Sequence, residues 1–282
     1  MTRKVAFITG ASRGIGAETA VALARGGYDV ALTARTLANG QEQDYGVTEV
    51  ALPGSLQATA RAGEQVGGQA LCLQADLLDP DSMLAAADAA VAHFGRLDLL
   101  FNNGIYQGAG VLSDLNEVTP GQLRDIYQGN VFTPLALVQR LLPALEQQHG
   151  SLIINMVSHA AFHNPPAAAT RGGWSFAYSS SKAALSRMVG SLRVEHSSQG
   201  LRAFNLEPGM VITEVMRAAG MDETLLARYK PCSAAAIAAV VAWLAANESP
   251  AEFADKDTVH APALGQYLGL LDAQSGLGES GE

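Results

Sequence analysis

The chain has 282 residues, a formal net charge of −9 and a hydrophobic fraction of 48%, while 16% of its residues are charged. This composition is sufficient for a large core and argues against nucleic acid as a partner. The cysteines Cys72 and Cys232 match neither a disulfide framework nor a metal-ligand spacing. No stretch is typical of a signal peptide or long enough to span a membrane, so we expect a cytoplasmic protein without metal or membrane contacts. No linker divides residues 1–282, which predicts a single domain.

The first motif is a glycine-rich turn at residues 9–16, with the sequence TGASRGIG. The apolar residues 5–8 before it predict a buried strand, and the alanine-rich residues 17–25 after it predict a helix. A turn from strand to helix presents unpaired backbone N–H groups and the positive end of the helix dipole, which together bind phosphate. Its glycines permit unusual backbone angles, close approach of a pyrophosphate and close packing of helix on strand.

Two other interpretations of this turn have to be compared with phosphate binding. Glycine-rich turns also serve as plain connectors. The residues around Ser12 also fit G-x-S-x-G, the nucleophile elbow of hydrolases. An elbow serine needs an earlier strand and loop to form its oxyanion hole, and here only nine residues precede the motif. We therefore favour the nucleotide-binding interpretation.

Apolar runs and helical patterns alternate along the rest of the chain. They predict a doubly wound α/β fold with a mostly parallel sheet of about seven strands. The later predicted strands cover residues 29–35, 69–75, 97–101, 152–157, 201–206 and 258–261. The later predicted helices cover residues 56–66, 119–148, 178–198 and 233–246, with small helices in 210–229. Residues 36–54 are predicted as a long loop, and residues 262–282 as a tail outside the core.

The second motif is Y-x-x-x-K, formed by Tyr178 and Lys182. Residues four apart share one face of a helix, so the phenol and the ammonium can point into one cleft. A nearby ammonium lowers the pKa of a tyrosine toward the range in which general acid–base catalysis is efficient. The alternative is a tyrosine packed on the core beside a surface lysine. Ser158 follows a predicted strand, where open α/β sheets bind ligands, and Asn130 lies inside a predicted helix, where asparagine is unfavourable.

These motifs, in this order, resemble the short-chain dehydrogenase/reductase family over residues 4–261. The resemblance implies an oxidoreductase that interconverts a carbonyl and an alcohol by hydride transfer with a nicotinamide cofactor. It implies that Tyr178 is the general acid/base, while Lys182 lowers its pKa and binds the nicotinamide ribose. It also implies that Ser158 binds the substrate oxygen, and that Asn130 holds a water that links Lys182 to solvent.

The resemblance also assigns a cofactor site at the ends of the predicted strands. The residues it implies are Gly10, Ser12, Arg13, Gly14, Ile15, Gly16, Asp76, Leu77, Asn103, Gly104, Pro208, Gly209, Val211 and Thr213, together with Tyr178 and Lys182. The family pattern Asn-Asn-Ala-Gly is altered here to NNGI at residues 102–105. For Asp76 the alternative is a plain strand end, next to a helix capped by Asp79 or Asp81.

The choice of cofactor depends on the end of the second predicted strand, which meets the adenosine ribose in dinucleotide folds. An acidic residue there selects NAD, whereas an arginine accommodates the 2′-phosphate of NADP. This strand ends in Arg35, and Arg13 in the glycine-rich turn supplies a second positive charge. The pair favours NADP(H) over NAD(H).

Residues 159–177 are longer than the corresponding segment of the family and are predicted as a loop that overhangs the substrate. Within it His163, Trp174 and Phe176 are candidate substrate contacts, together with Met210, and suggest an apolar carbonyl or alcohol of small size. The resemblance further implies a homodimer or a homotetramer. A non-catalytic NADP(H)-binding regulator on the same fold is the alternative function, and the complete set of catalytic residues argues against it.

Overall fold

The computed structural model describes residues 2–41, 43–44, 49–196, 200–214, 231–247 and 256–271. The described strands are β1 Lys4–Thr9, β2 Tyr28–Ala34, β3 Gln43–Asp44, β4 Glu49–Val50, β5 Ala70–Gln74, β6 Leu99–Asn102, β7 Leu152–Met156, β8 Arg202–Glu207 and β9 Thr258–His260. The described α-helices are α1 Gly14–Arg25, α2 Leu56–Gln65, α3 Pro80–Phe94, α4 Pro120–Tyr127, α5 Thr133–Leu145, α6 Phe176–His196, α7 Ala234–Ala246 and α8 Ala261–Tyr267. A π-helical turn spans Gln128–Phe132, and short 3₁₀ turns span His159–Ala161 and Ala169–Arg171.

Seven strands form one sheet in the order β5-β2-β1-β6-β7-β8-β9, and all of its described pairings are parallel. The direction of strand addition reverses at β1, which pairs with β2 on one side and with β6 on the other. The predicted doubly wound α/β fold is therefore confirmed. The reversal is a topological switch point, where the carboxyl ends of neighbouring strands leave a crevice that binds ligands.

The side chains of β1 alternate between two hydrophobic cores, one on each face of the sheet. Ala6 and Ile8 pack in the core that contains α1 and α7, whereas Val5 and Phe7 pack in the core that contains α3 and α5. All four are at most 1% exposed. Burial on both faces explains why the strand is a continuous apolar run rather than an alternating one. It also fixes the position from which the glycine-rich turn begins.

The predicted helix over residues 119–148 consists of three pieces rather than one. Helix α4 ends at Tyr127, the π-helical turn covers Gln128–Phe132, and α5 continues to Leu145. A π turn accommodates one more residue per turn than an α-helix, and such turns are frequent at functional sites. Asn130, whose position in a helix interior was unfavourable in the sequence, lies in this widened turn.

Helix α7 is the apolar segment that the sequence predicted as a buried helix, and this prediction is confirmed. Ser233 caps its first turn by accepting a hydrogen bond from the backbone N–H of Ala236 at 3.1 Å. Ile237 and Val241 are fully buried in the core with α1. Among the described helices, none is both long and apolar enough to cross a membrane.

Other boundaries differ from the prediction. The predicted loop over residues 36–54 contains the short antiparallel pair of β3 and β4. Helix α8 follows β9 directly, and its Leu264 is 0% exposed, so the core extends beyond the predicted end at residue 261. The boundary was wrong because burial of this helix depends on α7, which is distant in sequence. Of the small helices predicted in 210–229, residues 215–229 lie outside the described residues.

Candidate active site

A cleft of about 1030 Å³ opens at the carboxyl ends of the parallel strands. It is lined by most of the residues that the sequence predicted for the cofactor, the catalytic group and the substrate. These are Gly10, Ser12, Arg13, Gly14, Ile15, Arg35, Asp76, Leu77, Asn103, Gly104, Ser158, His163, Trp174, Tyr178, Lys182, Pro208, Gly209, Met210, Val211 and Thr213. The predicted residues that do not line it are Gly16, Asn130 and Phe176.

The glycine-rich turn is packed directly against the end of β6. Gly10 has a φ of +66°, and a Cβ at this position would lie 2.8 Å from the Cα of Gly104. A Cβ on Gly16 would collide with the backbone oxygen of Gly10, so this glycine allows α1 to pack on β1 as predicted. The Thr9 hydroxyl accepts a hydrogen bond from the Gly104 N–H at 2.8 Å, and the Asn103 amide donates to the Thr9 carbonyl at 2.9 Å.

The start of α1 is open enough to suit a pyrophosphate, because Gly14 has a φ of +56° and a Cβ there would meet nothing closer than Glu214 Oε2, at 3.7 Å. The same geometry argues against the hydrolase interpretation, since Ser12 is only 5% exposed and a nucleophile elbow requires an exposed hydroxyl. The altered NNGI segment also has a physical reason. Gly104 lies so close to Thr9 and Gly10 that its own Cβ would come within 3.1 Å of both.

Arg13 and Arg35 lie at the end of the cleft formed by β2. The Arg13 guanidinium donates to the Pro53 carbonyl at 3.0 Å, to the Gly54 carbonyl at 3.2 Å and to the Thr36 hydroxyl at 3.3 Å. It therefore ties the glycine-rich turn to the loop before α2. Arg35 is half-buried in the cleft wall, so both predicted cations face the same end.

Asp76 and Asp79 have separate tasks at the end of β5. Asp79 caps α3 by accepting from the Ser82 N–H at 3.2 Å, which was the alternative interpretation for this segment. Asp76 accepts from the Leu78 N–H at 2.9 Å and also lines the cleft. The helix cap and the cleft position therefore belong to different carboxylates.

Tyr178 and Ser158 meet in the wall of the cleft. Ser175 positions the start of α6, since its hydroxyl accepts from the Tyr178 N–H at 3.0 Å and donates to the Val111 carbonyl at 2.7 Å. Burial raises the pKa of Tyr178, the hydrogen bond with Ser158 offsets part of the rise, and the charge of Glu207 adds to it. The pKa of Tyr178 is therefore raised overall. The sequence predicted a pKa lowered by Lys182, and this prediction was wrong because burial is the largest effect on the phenol.

Lys182 lies one helical turn after Tyr178 and is 2% exposed. Its ammonium donates to the backbone oxygen of Met156 at 2.7 Å, at the end of β7. Burial lowers the pKa of Lys182 from 10.5 to about 8. The lysine is thus a core residue with a polar head at the cleft, rather than the surface lysine of the alternative interpretation.

Asn130 lies behind the cleft and connects two of its walls. Its side-chain oxygen accepts from the Tyr106 N–H at 2.9 Å, and its amide donates to the Ser181 hydroxyl at 3.0 Å. The side chain is 1% exposed, and both of its ends are used by protein groups. Asn130 therefore positions the segment after β6 against α6, and its predicted role in holding water stays a prediction.

The candidate substrate residues are divided between two environments. The His163 ring stacks on His159 with centroids 3.7 Å apart, and the His159 ring meets Trp174 edge-on at 6.0 Å. Phe176 is 52% exposed and does not belong to this wall, because it is the first residue of α6 and faces outward. Among the described residues, no group of three or more His, Cys, Asp or Glu could hold a metal ion.

Sequence reasoning missed Glu207 and His260, which line the cleft at the ends of β8 and β9. Glu207 is 5% exposed, and the two residues are register partners in the sheet. The sequence contained one signal for Glu207 as a cleft residue. This charged residue ends an apolar strand and directly precedes Pro208 and Gly209. His260 gave no signal, since its partner is distant in sequence.

Comparisons with known proteins agree with this geometry. The profile of the family described as short chain dehydrogenase matches residues 4–224. The chain belongs to the short-chain dehydrogenase family. An uncharacterized oxidoreductase of Methylorubrum extorquens is 32% identical to this short-chain dehydrogenase over 255 residues, or 87% of this chain and 92% of the relative. The 7alpha-hydroxysteroid dehydrogenase of Escherichia coli is 29% identical over 214 residues, or 76% of this chain and 73% of that enzyme.

Solved structures of the family superpose on this short-chain dehydrogenase. A metagenomic short-chain oxidoreductase, crystallised in complex with NADP, has a TM-score of 0.68 at 28% identity, covering 91% of this chain and 96% of the other. A short-chain dehydrogenase/reductase from Serratia marcescens has a TM-score of 0.72 at 27% identity, covering 91% and 95%. The protein is therefore an oxidoreductase of a family that binds a nicotinamide cofactor and acts on carbonyl and alcohol groups of small molecules.

Proposed function

We propose that the protein interconverts a carbonyl and an alcohol with NADP(H), with Tyr178 as the general acid/base. The observation that supports this most strongly is that the Tyr178 and Ser158 side chains lie close together in the cleft wall, where Ser158 offsets part of the rise in the pKa of the phenol. Two hydroxyls that lie next to each other in a cleft wall can both reach a single substrate oxygen. A screen of ketones for oxidation of NADPH, followed by absorbance of the reduced nicotinamide, tests the proposal.

The roles of the protein groups follow from their positions. Ser158 holds the carbonyl oxygen and stabilises the negative charge that develops on it. Tyr178 donates its proton to that oxygen, and its raised pKa keeps the proton on the phenol at neutral pH, which suits the direction of reduction. Lys182 binds the nicotinamide ribose from the floor of the cleft. A bound nicotinamide cofactor supplies the hydride.

The residues of the cleft fit a dinucleotide along its whole length. The turn from Gly10 to Gly14 accepts the pyrophosphate, and Asp76 with Leu77 accepts the adenine. Asn103 and Gly104 lie beside the ribose. Four further residues support the carboxamide, namely Pro208, Gly209, Val211 and Thr213. The solved relative with NADP bound supports this assignment.

We expect Arg35→Asp to reverse the preference of the protein for NADPH over NADH. The variant loses a charge-assisted contact to the 2′-phosphate and adds repulsion, so NADPH binding weakens by roughly ten- to a hundredfold or more. NADH binding stays similar or improves, because the new carboxylate accepts from the ribose hydroxyls. Titration of both cofactors measures the change. Arg61→Asp, at an exposed position of α2, is the matched control. Wild-type protein that already prefers NADH would remove Arg35 from the site.

We expect deletion of residues 166–172 to change substrate preference and KM far more than the affinity for NADPH. This segment is held to the loop after β6 by Thr170, whose N–H and hydroxyl both bond to the Asp114 carboxylate, at 3.2 and 2.9 Å. It connects Pro166 and Trp174 of the cleft wall, away from the glycine-rich turn. Thr170→Val, which removes only the hydroxyl, is the milder control. An unchanged substrate profile after the deletion would show that the segment does not contact substrate.

We further propose that the protein is cytoplasmic. We also propose that it forms a homodimer or a homotetramer. Exposed apolar side chains on α5 and α6 support the oligomer, with Leu135 40% and Val194 86% exposed. Size-exclusion chromatography with light scattering decides between these states and a monomer. The alternative function, a non-catalytic NADP(H)-binding regulator, gives no reason for two hydroxyls placed together in the cleft.

A further inference from the structure

The end of the cleft away from the glycine-rich turn contains a buried carboxylate that is only partly paired. Glu207 is 5% exposed, and its Oε1 accepts from the Gly209 N–H at 2.9 Å. Its Oε2 lies 2.9 Å from His260 Nε2, but no contact of this oxygen has the geometry of a hydrogen bond. A buried carboxylate oxygen without a well-directed donor is unfavourable unless a ligand supplies one.

His260 holds this carboxylate in place through its second nitrogen. His260 is the N-cap of α8, and its Nδ1 accepts from the Ala263 N–H at 3.2 Å. An imidazole nitrogen that accepts carries no proton, so in the neutral ring the proton is on Nε2, which faces Glu207. Burial would raise the pKa of Glu207, but His260, the Gly209 N–H and His159 together lower it. The carboxylate is therefore ionised at neutral pH.

Three more buried polar atoms in the cleft wall have no hydrogen-bond partner among the described residues. They are Gln107 Oε1 and Glu214 Oε2, which are acceptors, and Trp174 Nε1, which is a donor. Glu214 lies beside Gly14 of the glycine-rich turn and so belongs to the other end of the cleft. Trp174 and Glu207 both lie near His159, whose ring meets Trp174 edge-on at 6.0 Å and whose charge helps to lower the pKa of Glu207. Buried polar groups in native proteins are nearly always paired, so an unpaired donor and unpaired acceptors in the cleft wall indicate a ligand with polar groups of its own.

We propose that this end of the cleft binds a hydroxyl group of the substrate, with Glu207 as its acceptor, and that the substrate is a hydroxylated ketone or a polyol. The proposal rests on the carbonyl/alcohol chemistry proposed above and replaces the expectation of an apolar substrate. A hydroxyl donates to Glu207 or Gln107 and accepts from Trp174, so it satisfies both kinds of unpaired atom. An ammonium group has no acceptor for the Trp174 N–H, and an apolar group satisfies none of the unpaired polar atoms.

The test compares cyclohexanone with its ring-hydroxylated derivatives as substrates of the wild-type protein and of Glu207→Gln. Wild type should give the best hydroxylated derivative a kcat/KM roughly tenfold or more above that of cyclohexanone, and Glu207→Gln should remove most of this ratio, mainly through KM. Trp174→Phe keeps an aromatic ring but removes the N–H donor, and it should reduce the ratio by less than Glu207→Gln does. Glu146→Gln makes the same substitution in a Glu–His pair outside the cleft, where Glu146 lies 2.7 Å from His196, and should leave the ratio unchanged.

Direct binding separates this proposal from the chemistry on which it rests. Calorimetry should show that the vicinal diol of cyclohexane binds wild type more tightly than cyclohexanol does, and that Glu207→Gln loses the difference, whether or not either compound is turned over. Turnover of ketones without preference for the hydroxylated ones, together with equal binding of diol and monoalcohol, would overturn the hydroxyl site and leave the proposed function intact. Tighter binding of the diol without turnover of any ketone would support the hydroxyl site and contradict the proposed function.

Discussion

Replacing Tyr178 with phenylalanine should lower kcat for ketone reduction by roughly 10²–10⁴-fold, the usual contribution of a general acid. The substitution removes only the hydroxyl, which lies beside Ser158 in the cleft wall, and the ring keeps its position on α6. The affinity for NADPH should stay nearly unchanged, because the phosphate-binding turn and Arg35 are untouched. Steady-state kinetics and a separate titration of the cofactor measure the two effects.

Tyr267→Phe is the matched control for this variant. Tyr267 is 60% exposed at the end of α8, and it should keep wild-type kinetics after loss of its hydroxyl. A Tyr178→Phe protein with activity near that of wild type would remove the phenol from the mechanism. Equal loss of kcat and of cofactor affinity would instead indicate that the variant had disturbed the cleft.

Replacing Lys182 with methionine should abolish most activity and at the same time stabilise the protein in the absence of cofactor. Burial lowers the pKa of Lys182 from 10.5 to about 8, which corresponds to about 3 kcal/mol of unfavourable free energy at neutral pH. Methionine fills a similar volume without the charge, and it loses the hydrogen bond to Met156, worth about 1 kcal/mol. The free energy of unfolding should therefore rise by about 2 kcal/mol at pH 7.

The dependence of this gain on pH follows from the direction of the shift. Between pH 8 and 10.5 the unfolded chain keeps the proton of Lys182 and the folded chain has lost it. The unfolded state binds more protons in this window, so the contribution of Lys182 to stability increases as pH rises. The advantage of Lys182→Met should be largest below pH 8 and disappear toward pH 10.5. Denaturant unfolding at several pH values tests this, and a variant less stable than wild type at neutral pH would contradict it.

The fold could be predicted because its signals are local. The apolar run of β1, the glycine-rich turn and the helical pattern of α1 lie within a few residues of one another, and each depends mainly on its own sequence. The glycine at position 16 of this motif has a steric reason, because a Cβ there would collide with the backbone oxygen of Gly10. The proposed catalytic pair was also local, since Tyr178 and Lys182 are separated by one helical turn.

The features that sequence reasoning missed depend on contacts between distant residues or on small changes of helix geometry. Glu207 and His260 become neighbours only through the pairing of β8 with β9. The π-helical turn at Asn130 inserts a residue without interrupting the helical pattern, so periodicity does not reveal it. The raised pKa of Tyr178 depends on burial in the assembled cleft, whereas its sequence neighbour Lys182 suggested the opposite direction.

Transfer of deuterium from a labelled cofactor is the most direct test of the proposed reaction. NADPH deuterated stereospecifically at the transferred position of the nicotinamide is incubated with the protein and a panel of plain and hydroxylated ketones, and the products are analysed by mass spectrometry. We expect one of the two deuterated forms to give an alcohol labelled at the former carbonyl carbon, and Tyr178→Phe to give almost none. Consumption of NADPH without label at that carbon, or binding of NADPH without formation of an alcohol from any ketone, would contradict the proposed function.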